Sequence, residues 1–175
     1  MAESAYDCIV IGSGPGGYVA AIRSAQLGKR TAVIEREKVG GRCLNYACIP
    51  AKAVLRSADL LSEVREAGEY GLNVADVQVD YAAIQARREK VVATLTSGVG
   101  GLFRKNGIEL IEGDASLSAE GAVRVGEQTL SAQTVILATG SVPRPIPGAE
   151  LGGRVIGTEE AWALQELPAR LAVVG

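Results

Sequence analysis

The stretch Asp7-Cys-Ile-Val-Ile-Gly12-Ser-Gly-Pro-Gly-Gly17 decides the fold of this 175-residue chain. Its apolar run reads as a short, fully buried strand bounded by glycine, and Tyr18 to Leu27 reads as a helix ending near Gly28. Thr31-Ala-Val-Ile-Glu35 is a second buried strand. Strand, glycine turn, helix and strand within about 30 residues make one βαβ unit of a parallel sheet. Gly12, Gly14 and Gly17 form G-x-G-x-x-G. The first permits the tight turn, the second lets backbone approach a pyrophosphate, and the third lets helix and strand pack closely. The N–H groups at the helix start then face the phosphates. Glu35 ends the second strand 21 residues after Gly14, where a carboxylate accepts hydrogen bonds from ribose hydroxyls and opposes a 2′-phosphate. An ordinary glycine turn with a surface glutamate would carry the same letters. The strand before the loop and the helix after it favour a dinucleotide site.

Composition narrows the rest. With 18 basic and 20 acidic side chains the net charge is −2, which gives no footprint for nucleic acid. The chain has no histidine, so its own residues make no His-based triad, proton relay or His–zinc site. No window approaches 18 uninterrupted apolar residues, so no membrane span is expected. The short, acidic N-terminus is unlike a signal peptide, and three cysteines are too few for a secreted disulfide scaffold. A cytoplasmic protein is expected.

Further along, a helix is expected from about Pro50 to Ala67 and another from about Tyr81 to Asn106. Gly98, Gly100 and Gly101 fall inside the second, which predicts a bend or close packing there. Apolar pieces at 108–112, 115–118, 122–125 and 128–131 suggest a small antiparallel meander. Thr134 to Ala138 reads as a last buried strand rejoining the first sheet, and Pro143, Pro145 and Pro147 as a domain exit. Leu171-Ala-Val-Val-Gly175 repeats the pattern of Cys8 to Gly12, as a second nucleotide-binding domain would open. The charges of Arg87 to Lys90 read as a solvated helix face, and Trp162 carries no readable chemistry.

The most specific stretch is Gly40-Gly-Arg-Cys43-Leu-Asn-Tyr-Ala-Cys48-Ile-Pro-Ala-Lys52. On a regular helix, Cα atoms five residues apart lie about 8.6 Å from one another, whereas a disulfide wants roughly 4.4–6.8 Å. If Cys43 and Cys48 pair, the chain between them is a distorted turn, with Cys48 at a helix N-terminus that favours a thiolate. Two unrelated thiols, or half a zinc site, are the other readings. Zinc prefers C-x₂-C and would need two more ligands, with Cys8 in a buried strand the one cysteine remaining. No metal site is expected.

Together the G-x-G-x-x-G, Glu35, the Gly-Gly-x-Cys-x₄-Cys-x-Pro-x-Lys run and Ala138-Thr-Gly140 resemble the class I flavin disulfide reductases, the pyridine nucleotide-disulfide oxidoreductases. Cys-Leu-Asn-x-x-Cys-Ile-Pro-x-Lys is most similar to the dihydrolipoamide dehydrogenases. Arg42, Tyr46, Ala47 and Ala51 depart from the usual Thr, Val, Gly and Ser. The resemblance implies an α/β, Rossmann-like parallel sheet of the FAD/NAD(P)-binding fold with an inserted antiparallel meander at about 113–132. It implies an FAD domain over 1–148, then a linker and first strand of an NAD-binding domain over 149–175, the chain being cut before the NAD and interface domains.

By the same resemblance the dinucleotide is FAD, with the NAD site in the missing domain. A Cys43–Cys48 disulfide would be the redox centre, Cys43 exchanging with substrate and Cys48 lying against the flavin. Gly12, Gly14, Gly17, Glu35, Gly41, Lys52, Ala115, Thr139 and Gly140 would contact the cofactor, Lys52 stabilising its reduced forms. The implied reaction takes dihydrolipoamide and NAD⁺ to lipoamide and NADH. The partners would be the lipoyl domain of a 2-oxoacid dehydrogenase complex and a second copy in a homodimer. Without the partner subunit's histidine the fragment alone is expected to be inactive. A glutathione-, mercury- or other disulfide-reducing relative, or a non-catalytic dinucleotide-binding module, are the alternatives.

Overall fold

The computed structural model describes residues 6–174. The chain divides into two compact units. One runs through Asn45 and resumes at Ala93–Val142, and the other comprises Tyr46–Val92 and the chain from Pro143 onward.

The first unit is built on β1 (Tyr6–Ile11), α1 (Pro15–Gln26) and β2 (Thr31–Glu35). It adds the short α2 (Gly41–Asn45), and then β3 (Glu109–Glu112), β4 (Ala115–Leu117), β5 (Val123–Val125), β6 (Gln128–Leu130) and β7 (Ala132–Leu137). Four strands form a parallel sheet in the order β3-β2-β1-β7, with Ile9 opposite Ala32 on one side and Val135 on the other. Ile9, Val10, Ala32 and Val33 are completely buried, the pattern of strands covered on both faces. β4, β5 and β6 form a separate antiparallel sheet, and Val123 and Val125 of β5 join Tyr6, Ile9, Ile11, Ala32 and Ile34 in one core. The Rossmann-like sheet with an inserted meander is therefore present, and the meander caps one face of the sheet.

One expected strand changes sheets. The piece at 108–112 is not a fourth meander strand: β3 pairs in parallel with β2, from Ala32↔Glu109 to Glu35↔Glu112. An apolar run of that length is compatible with either sheet, and the open edge of β2 takes it.

The second unit contains α3 (Cys48–Glu66), a 3₁₀ turn (Ala67–Tyr70) and α5 (Thr158–Ala163). The division of the chain falls within the long α4 (Tyr81–Lys105), so its first turns belong to this unit. Arg87 Nη1 donates to the Ala53 carbonyl of α3 at 2.9 Å, and Arg88 Nε is buried, so this face is not simply solvated. The glycines of α4 do not mark close packing. A Cβ on Gly98 would meet nothing within 4 Å, and on Gly100 and Gly101 it would meet only the Arg104 side chain. Residues 171–174 carry no strand and are exposed, and Gly175 lies outside the described residues.

Candidate functional site

All four parallel strands end at one edge, and what leaves that edge is the glycine loop, Glu35, Gly113 and Thr139. Ligands of open α/β sheets bind outside this carboxyl edge. Ala138 N–H donates to the Ile11 carbonyl at 2.8 Å, which seats the end of β7 against the start of the loop.

The three glycines of the loop do different work. A Cβ on Gly12 (φ +97°) would lie 2.3 Å from the Ala138 carbonyl oxygen, and one on Gly17 would lie 1.9 Å from the Gly12 carbonyl oxygen. Both clash with backbone that cannot yield. A Cβ on Gly14 would meet nothing within 4 Å. Gly14 is also the N-cap of α1, Pro15 follows it, no side chain caps the helix, and its first turn holds no acidic residue. The first N–H groups of α1 therefore have no side-chain cap, and the backbone before them is open on the side where a Gly14 Cβ would stand.

Ser13, a position the spacing leaves unspecified, is completely buried at the centre of the loop. Its N–H and its hydroxyl both donate to Glu35 Oε2, at 2.9 and 2.6 Å. Glu35 Oε1 accepts the N–H of Glu37 at 2.9 Å. Burial pushes the Glu35 carboxyl up, but the Ser13 hydroxyl and the surrounding backbone N–H groups outweigh it and hold it below the usual carboxylate range. Gly40 N–H is shared between the Ser13 carbonyl at 3.1 Å and its hydroxyl oxygen at 3.2 Å.

That bond ties the loop to the chain that leads to Cys43. Gly40 and Gly41 have φ of +95° and +58°. Asn45 Nδ2 donates to the carbonyls of Val39 and Gly41, at 3.0 and 2.9 Å, closing α2 on itself. Cys43 sits half-buried in the middle of this helix. At the end of β2, Gly113 N–H donates to the Glu35 carbonyl at 2.9 Å. Its absent Cβ would be 2.5 Å from Val125 Cγ1, and Ala115 follows as the first residue of β4.

The first unit thus gathers Gly12, Gly14, Gly17, Glu35, Gly41, Ala115, Thr139 and Gly140 around one sheet edge or on the segments leaving it. Cys48 and Lys52 belong to the second unit. Cys48 is the first residue of α3 and exposed, and Lys52, four residues on, is exposed one turn along the same face. Cys8, Cys43 and Cys48 are thiols in this structure, Cys8 buried in β1. Among the described residues no group of three or more His, Cys, Asp or Glu side chains could hold a metal ion. No helix among them is long and apolar enough to cross a membrane.

Reading the sequence missed two polar contacts. Ser13 is one. The other is Trp162 on α5, whose indole N–H donates to the Tyr46 carbonyl, between the two cysteines in sequence, at 3.0 Å. Nothing local signals a bond across 116 positions.

A family model described as pyridine nucleotide-disulphide oxidoreductase matches residues 6–175. The chain belongs to that family. Within the family it is 41 % identical over 99 % of its length to dihydrolipoyl dehydrogenase of Chlamydia muridarum, covering 38 % of that protein. It is 45 % identical to dihydrolipoyl dehydrogenase of Rhizobium etli, over the whole of this chain and 40 % of the relative. The crystal structure of LpdA from Mycobacterium tuberculosis superposes with a TM-score of 0.76 at 26 % identity, over 92 % of this chain and 38 % of that one. The chain therefore spans about two-fifths of the length of these family members.

Proposed function

We propose that this chain holds FAD and the dithiol–disulfide pair of an oxidoreductase of the dihydrolipoamide dehydrogenase kind. The observation that carries the cofactor reading is the contrast within the glycine loop: Gly12 and Gly17 are closed by the protein's own backbone, and Gly14 faces open space. A site that must admit a pyrophosphate needs both. Gly12, Gly14, Gly17 and the first turn of α1 would bind the phosphates, Glu35 the ribose, and Gly41, Ala115, Thr139 and Gly140 would line the remaining length. Residues 1–148 would form the FAD domain. Residues 149–175 would lead into an NAD-binding domain of the kind the longer relatives have room for.

The redox reading is supported by family membership and by two cysteines at the positions its motif requires. In the substrate half-reaction, a dihydrolipoamide thiolate attacks Cys43 Sγ and Cys48 leaves as the thiol. The second substrate thiol then displaces Cys43, closing lipoamide and leaving the protein as dithiol. Two electrons and two protons pass from substrate to protein. FAD, when bound by the glycine loop and Glu35, would supply a two-electron acceptor for the protein dithiol. Lys52, one turn after Cys48 on α3, would offer positive charge to that acceptor. A lipoyl domain as the source of the dithiol, and a second copy completing a homodimer, follow from the same likeness.

Visible absorption of the protein mixed with FAD and desalted tests this, read before and after anaerobic dithiol treatment. Retained flavin absorption that gains a long-wavelength band on reduction supports both cofactor and pair. Flavin without the band would remove Cys48 from the reading. A colourless protein whose thiol count is unchanged by mild oxidation would leave a dinucleotide module without redox work.

A further inference from the structure

Ser13 occupies a position that G-x-G-x-x-G leaves open to any residue, yet it has no exposed surface and its polar atoms are all engaged. A serine hydroxyl has a single hydrogen, and here it goes to Glu35 Oε2 at 2.6 Å, while the oxygen accepts the Gly40 N–H. Oε2 also takes the Ser13 N–H at 2.9 Å. With two donors in place that oxygen is filled, and the Glu35 carboxylate is fixed in rotation by one residue from two directions. Oε1 already accepts the Glu37 N–H at 2.9 Å, so a further donor comes to the position left on Oε1.

We propose that Ser13 is a positioning residue of the dinucleotide site: by clamping Oε2 it turns the Glu35 carboxylate so that the position left on Oε1, beside the Glu37 N–H, meets a ribose hydroxyl of an adenine dinucleotide lacking a 2′-phosphate. The inference rests on the reading of the glycine loop and Glu35 as that site and adds the residue that holds the carboxylate ready. Ser13 does not touch the nucleotide; it acts through Glu35. Pre-ordering removes the cost of fixing a glutamate side chain at binding. Charge-assisted bonds of 2.6 and 2.9 Å also favour the ionised form over the protonated one, which could not accept on both oxygens and would not repel a phosphate.

Ser13 holds Oε2, and the backbone N–H of Glu37 holds Oε1. The charged groups near Glu35 are Arg36, Glu37 and Lys38, which follow it, and Glu112, its register partner on β3. Arg36 pairs with Glu37 at 3.4 Å, and no charged side chain is among the causes that set the Glu35 carboxyl; burial and the hydrogen bonds are.

The test is FAD affinity, read by fluorescence quenching between pH 4 and 8, for the wild-type chain, Ser13→Ala, Glu35→Ala and the double variant. Ser13→Gly serves as a second probe of hydroxyl loss, and far-UV circular dichroism at each pH confirms folding. The expected result is a roughly tenfold loss of affinity at pH 7 for Ser13→Ala. Its acid limb should move to higher pH, because burial then acts on Glu35 without the hydroxyl. In the Glu35→Ala background, Ser13→Ala should change nothing further. An equal loss in both backgrounds with an unmoved acid limb would overturn the proposal and make Ser13 a packing residue. Unchanged affinity in Glu35→Ala would instead overturn the ribose reading of Glu35 on which the proposal stands.

Discussion

Gly41 lies against Gly14 so closely that a Cβ on Gly41 would stand 2.7 Å from the Gly14 Cα and 3.0 Å from its nitrogen. The turn that leads to Cys43 is therefore laid directly on the glycine loop. Gly41→Ala meets backbone and also needs an L-residue at φ +58°. Overpacking costs about 1–3 kcal/mol, and the left-handed backbone about 1–2 kcal/mol more. The melting temperature should drop by several degrees, and FAD retention should fall with it.

Gly98→Ala should do the opposite. It lies inside α4 with nothing within 4 Å of its missing Cβ and no positive φ. Replacing a helical glycine by alanine is worth about 0.5–1 kcal/mol. Urea unfolding monitored by circular dichroism should show a higher midpoint at unchanged slope.

Glu35 predicts an acid limb in stability. Its folded carboxyl lies below the ordinary value, so it contributes stability that is present above the unfolded value of about 4.3 and is lost as pH falls through the lower folded value. Denaturation midpoints taken between pH 3 and 6 should fall toward acid more steeply for the wild type than for Glu35→Gln. Parallel curves would contradict the hold of Ser13 on this carboxylate.

Tyr6 predicts an alkaline limb. Burial first, then the hydrogen bond to Glu109 at 2.7 Å and its charge, hold the phenol above its usual range, against a smaller opposite pull from Arg30. That stability is complete below the unfolded value of about 10 and is lost as pH rises toward the folded one. Tyr6→Phe should flatten the loss of stability above pH 10 in the same denaturation experiment.

The cysteines can be separated by counting. Mild oxidation of the wild-type chain should consume two of its three thiols. Cys8→Ala should still lose two, and Cys43→Ser or Cys48→Ser none within the monomer. Trp162 is the one tryptophan in the chain and donates to the Tyr46 carbonyl between the pair in sequence. Its emission should shift on oxidation in the wild type and stay fixed in Cys48→Ser.

What the sequence made legible was what chemistry requires at fixed spacing. The three glycines, Glu35 and the buried strands beside them follow from steric and hydrogen-bonding demands that act within a few residues. β3 was assigned to the wrong sheet because a short run of this kind records a strand and not which edge it joins. Ser13 stayed hidden because any small residue satisfies the spacing, and its importance lies in a bond to Glu35 that only the turn creates. Trp162 was invisible for the opposite reason: its partner is far away in the chain. The helix glycines misled as to close packing, because a glycine costs helix stability whether or not anything packs on it.

β1 has neighbours made at very different times. β2 is complete by Glu35, whereas β7 ends at Leu137, about a hundred residues later. A ribosome adding ~5–20 residues per second needs roughly 5–20 s for that interval. Throughout it, the backbone edge of β1 that β7 will cover, and the Ile11 carbonyl that accepts the Ala138 N–H, have no native partner to meet. The nascent chain must carry an unfinished sheet edge for seconds, so the order of synthesis sets the period in which this protein most needs shielding from other exposed strands.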